Sequence, residues 1–74
     1  MIFYVIELQT SAESGSAIPY AYDNRPDAEA QYHTLLAVAS KSSVPKHGCI
    51  MVNADGFVLK NEVYNHEPAN SDDV

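Results

Sequence analysis

The sequence predicts an α+β domain of ββαββ order: a four-stranded antiparallel sheet, spatial order 2-1-3-4, with one helix packed on one face. Three observations predict it. Two β-type runs near the N-terminus flank the loop-like TSAESGS. A single stretch, DNRPDAEAQYHTLLAVASKSS, repeats its apolar residues at helical spacing. A second pair of apolar runs is joined by Asp55-Gly56, a strong hairpin signal.

The first strand is IFYVIELQ, residues 2–9. It is rich in β-branched and aromatic side chains and too short for an amphipathic helix. Its even positions, Ile2, Tyr4, Ile6 and Leu8, are all apolar, and its odd positions run Phe3, Val5, Glu7, Gln9. The second strand is AIPYAY, residues 17–22, with Ile18, Tyr20 and Tyr22 on one face. Pro19 has no N–H to give a ladder, which places this strand at an edge.

The helix can be capped by Asp23 or Asn24, and Pro26 and Asp27 suit its first turn. Ala28, Tyr32, Leu35, Leu36 and Ala39 form the apolar stripe. Glu29 stands four residues before His33, close enough for a weak ion pair. Lys41 suits the negative pole of the dipole. Ser42, Ser43 and Pro45 stop the helix, and Gly48 lets the third strand begin close to its neighbours.

The closing hairpin is HGCIMVNADGFVLKNEVYNH. A two-residue Asp55-Gly56 turn sets Ala54 opposite Phe57, Val52 opposite Leu59, Ile50 opposite Asn61 and Gly48 opposite Val63. That mostly apolar set is assigned to the core. The other face pairs Asn53 with Val58, Met51 with Lys60, Cys49 with Glu62 and His47 with Tyr64. One helix covers one face. The outer face is therefore expected to carry Phe3, Val5, His47, Cys49, Met51, Val58, Glu62 and Tyr64, an apolar patch of the kind that marks an interface. The domain is expected to span residues 1–67, and residues 68–74 a flexible acidic tail.

Composition narrows the function. The chain has 74 residues, four Lys+Arg against ten Asp+Glu, and a net charge of −6. Arg25, Lys41, Lys46 and Lys60 are its cations, too few and too scattered for a phosphate-tracking surface. No direct contact with nucleic acid is expected, whereas an acidic chain can attract basic partners. A single cysteine makes no internal disulfide. The N-terminal run has neither a basic leader nor the length of a membrane span. The expected setting is a reducing cytoplasm without membrane attachment.

Candidate chemistry is thin. On the register above, His47, Cys49 and Glu62 share a face and are the weak candidates for zinc ligands, but there is no second cysteine and no paired-histidine motif. His47 and Cys49 lack an orienting third group and an oxyanion hole. No catalytic residue and no cofactor is assigned, and the chain is read as a non-enzyme. Tyr20, Tyr22 and Tyr32 could stack on a base, but Gly15, Gly48 and Gly56 are isolated and build no phosphate loop.

The segments FYVIELQT, AEAQYHTLLAVASKSSVPKHG and GFVLKNEVYNHE resemble a group of small uncharacterised proteins encoded by phages and prophages of Gram-positive bacteria. The resemblance covers residues 2–67 and is carried most by the Tyr32-His33 pair, the Ser42-Ser43-Val44-xx-His47 joint and Tyr64-x-His66. It implies a small accessory protein made in a bacterial cytoplasm, with no known activity. The expected function is that of an acidic interaction protein that binds a host protein, such as defence machinery, and forms a homodimer or higher homo-oligomer. The alternative is an oligomer that binds a small ligand such as a nucleotide.

Overall fold

The computed structural model describes residues 1–66, ordered β1 (Phe3–Thr10), β2 (Gly15–Tyr22), α1 (Arg25–Ala39), β3 (Lys46–Asn53) and β4 (Val58–Asn65). The strands form one antiparallel sheet in the order β2-β1-β3-β4, and α1 packs on one face, as the sequence predicts. The expected tail, residues 68–74, lies outside the described residues.

β1 occupies the interior because it pairs along its whole length on both sides, from Phe3 opposite Tyr22 and Asn53 to Thr10 opposite Gly15 and Lys46. β2 and β4 are the edges, and Pro19 sits in β2 where the missing donor costs least.

Asn24 is the helix cap. Its side chain accepts from the Asp27 N–H at 2.9 Å, and its amide donates to the Asp23 and Asp27 carboxylates. Glu29 bonds Arg25 at 2.8 Å, one turn back, in place of the expected contact with His33. All five stripe residues, Ala28, Tyr32, Leu35, Leu36 and Ala39, are buried. The alanines at either end, Ala28 and Ala39, have no exposed surface, so the helix lies close on the sheet.

The β3–β4 hairpin has a three-residue loop, one longer than expected. Gly56 N–H donates to the Asn53 carbonyl, Asn53 N–H to the Phe57 carbonyl, and Gly56 adopts φ 87°. This is a type I turn followed by a left-handed glycine. The Asn53 carboxamide oxygen selects it by accepting from the N–H groups of Asp55 and Phe57. The extra loop residue sets Val52 opposite Val58, and a bulge beside Met51 restores the expected pairing from Met51–Lys60 through His47–Tyr64.

The two faces of the sheet are exchanged relative to the sequence reading. Val5, Cys49 and Met51 are completely buried with α1 above them, Glu7 and His47 are buried among them, and Phe3 and Tyr64 pack against the same cluster. Glu62 shares that side through its pairing with Cys49, exposed at the sheet edge. Of the eight residues assigned outward, only Val58 is there, carried out by the hairpin irregularity. The reason is that both faces carry apolar residues, and the more apolar row of β1 is not the one that faces the helix. β2 and β3 are both antiparallel to β1, hence parallel to each other, and α1 is the crossover that joins them. Such crossovers keep one hand, and that chirality selects the face the helix covers.

Candidate functional site

Beneath the C-terminal end of α1 runs a chain of polar side chains. Ser42 Oγ lies 2.7 Å from His47 Nδ1, and His47 Nε2 lies 2.6 Å from Glu7 Oε2. Gln9 Nε2 donates to the same carboxylate oxygen at 3.0 Å, and Val44 N–H donates to Ser42 Oγ at 3.3 Å. With Ser42 accepting from Val44, its own hydroxyl hydrogen is free for Nδ1. At the other ring nitrogen, Nε2–H donates to the Glu7 carboxylate. Among the described residues no buried side-chain N or O lacks a partner. A histidine and a carboxylate can therefore sit under a helix at 3% and 7% exposure.

A serine, a histidine and a carboxylate in line invite comparison with a nucleophile, its base and an orienting acid. Here, however, His47 is enclosed. The nearby groove of about 250 Å³ lies between the β1–β2 loop and Val44-Pro45, and neither Ser42 nor His47 lines it. The chain acts as a strut between β1, β3 and the end of α1. Both His47 nitrogens are occupied, and no group of three His, Cys, Asp or Glu is placed to hold a metal among the described residues.

Cys49 is equally enclosed. Burial, and then the charge of Glu7, push its thiol from an ordinary 9.0 up to about 11. It should resist a thiol reagent at pH 8 in the folded protein and react once urea unfolds it. A thiol with a raised folded value gives stability that is fully present below its unfolded value near 9 and is lost as pH rises through about 11. The unfolding free energy from urea titrations should fall across that window by on the order of 2 kcal/mol more in the native chain than in Cys49→Ala. Burial also raises Tyr32, and Glu62 raises Tyr64, so both add to the same alkaline loss in both proteins.

The residues that carry the resemblance converge on the same end of the helix. His66 Nε2–H donates to the Ala39 carbonyl at 2.7 Å, and its backbone N–H donates to the Pro45 carbonyl at 2.6 Å. The Tyr64 and His66 rings stack at 6.1 Å. Ser42–His47 from one side and Tyr64-x-His66 from the other thus clamp the C-terminus of α1. Tyr32 is core, in edge contact with His33 at 5.6 Å. Glu7 escaped the sequence reading. Its signal was a lone carboxylate within an apolar central strand, which needs a partner if it turns inward.

The face opposite the helix carries Tyr4, Ile6 and Leu8 from β1. Through the pairing register it also carries Ala17, Pro19 and Ala21 from β2, Ile50 and Val52 from β3, and Val58 and Val63 from β4. Tyr4 is 39% exposed, and Val58 and Val63 are more than half exposed. No acid of the described residues lies on this face. Glu7 and Glu62 are on the helix side, Glu13 is in a loop, Asp23, Asp27 and Glu29 are at the helix start, and Asp55 is in the turn. Lys46 stands at its rim. Tyr20, Tyr22 and Tyr32 pack on the core on the other side, where they are not presented to a base.

Among the described residues the sheet and its helix define a two-layer α+β domain, one sheet face of which is apolar and not covered by the helix. Comparison with protein-family models, with curated proteins and with solved structures finds no match. Among the described residues no helix is long and apolar enough to cross a membrane.

Proposed function

We propose that the protein works by binding other protein chains through its open sheet face, with no chemistry of its own. The observation that supports this most is the face itself: four strands wide, apolar throughout its centre, and left uncovered by the one helix. Contiguous apolar patches beyond a few hundred Å² are rare on monomers and mark interaction surfaces. The acidic remainder of the chain adds long-range attraction to basic surfaces. In the setting that the resemblance implies, a small protein made during phage carriage, the chains available to that face are other copies of itself and host proteins, defence machinery included.

The test is retention of partners by the native protein and by Ile50→Lys, with folding of both verified by circular dichroism. Ile50 lies mid-face, opposite Ile6 and Asn61. A buried charge at the centre of an interface should weaken a genuine partner roughly 30-fold or more. Partners held equally by both proteins would show that binding uses another surface and would overturn the reading.

A further inference from the structure

We infer that the occupant of the open face is a second copy of this chain, sheet against sheet across a two-fold axis. This rests on the reading of that face as a docking surface and names its partner.

The first support is area. Eight-residue strands at ~3.3 Å per residue, set ~4.8 Å apart in a four-stranded sheet, give a face of roughly 26 by 19 Å. Pleat and side chains carry its accessible area toward the ~800 Å² per partner of a standard interface, well above a casual contact.

The second support is charge. Two chains at −6 each repel wherever their acids meet. Among the described residues the open face carries no acid, so it is where two copies approach at least electrostatic cost. A strongly basic partner would find nothing there to pair with.

The third support is shape. One edge of the face is low, with Ala17, Pro19 and Ala21 on β2. The opposite edge is raised by the branched Val58 and Val63 on β4. A two-fold axis parallel to the strands lays β2 of one copy over β4 of the other and β1 over β3. The low edge then receives the high edge twice, as an isologous interface requires. The product is an eight-stranded sandwich with sheets ~10 Å apart and a helix on each outer side.

Sedimentation equilibrium of the native protein from 1 to 200 µM should give twice the 8.1 kDa chain mass. Tyr4→Lys and Val63→Glu change positions already 39% and 51% exposed, so the fold tolerates them. Each should raise the dimer dissociation constant at least 100-fold with an unchanged circular dichroism spectrum. A native protein that sediments as a monomer throughout, or a dimer that survives both substitutions, overturns the inference. The two failures are separable with an apolar dye. A native monomer that binds the dye, and loses it in Tyr4→Lys, keeps the face as a docking surface for a different protein. A monomer that does not bind it removes both readings.

Discussion

Gly48→Ala should be the most damaging single methyl that can be added to this chain, lowering stability by roughly 3 kcal/mol, the upper range for overpacking. A Cβ at Gly48 would run into the Glu62 carbonyl oxygen and would stand 2.6 Å from Val63 Cα and 2.7 Å from its Cγ2. Two of those three atoms are backbone, so a rotamer change cannot make room. β4 must instead move away from β3, and β4 carries Tyr64 and leads to His66, which holds the last helical carbonyl. The damage therefore spreads from one pairing to the clamp on α1. Two other glycines calibrate the effect. Gly56, at φ 87° with open space around it, should cost about 1 kcal/mol as alanine, for the backbone alone. Gly15, whose nearest neighbour would be 3.9 Å away, should change stability by less than ~0.5 kcal/mol. Urea midpoints should order Gly48→Ala far below Gly56→Ala, and that below Gly15→Ala. A Gly48→Ala midpoint level with Gly15→Ala would mean that β4 is not held where the structure puts it.

Strand identity, strand order and the helix stripe were legible because each rests on a local signal: alternation, an Asp-Gly turn, apolar residues three and four apart. The facing of the sheet was not. Ile2, Tyr4, Ile6 and Leu8 are more apolar than Phe3, Val5, Glu7 and Gln9, so a reading by hydropathy turns the wrong side of β1 inward. The inward side is acceptable only because Glu7 finds His47, forty residues away, and Gln9 beside it. That pairing is a property of the assembled sheet, as is the hand of the crossover that places α1. The same exchange decides which face is open. Cys49 and His47, which looked like outer-face residues with spare chemistry, are structural and enclosed, while of the row expected in the core Leu59 packs there and Ile50, Val52 and Val63 face the open side. The loop showed the same limit on a smaller scale. Asp55-Gly56 announced a turn, but the side chain of Asn53, outside that dipeptide, chose the three-residue form.

Removing one end of the buried polar strut should cost about as much as Gly48→Ala. Glu7→Ala leaves His47 Nε2 and Gln9 Nε2 without their shared acceptor, and His47 cannot turn to water from beneath the helix. His47→Ala leaves the Glu7 carboxylate buried with only Gln9 and frees Ser42 as well. Breaking a buried pair from one side costs roughly 3 kcal/mol or more, most of it the desolvation of the group left behind. Replacing both ends with apolar groups of similar volume removes that cause. In a cycle of Glu7→Leu, His47→Phe and their combination, the double variant should lose no more than either single, which with single losses of about 3 kcal/mol makes the coupling about 3 kcal/mol by urea unfolding. Two single losses that simply add in the double variant would show that the pair is not a unit. The cycle also separates architecture from function. Glu7 and His47 point under the helix and the proposed dimer face lies on the other side of the sheet. If the proposed dimer forms, the repacked double variant should keep it, because the polar strut holds the helix on one side of the sheet and the proposed face lies on the other.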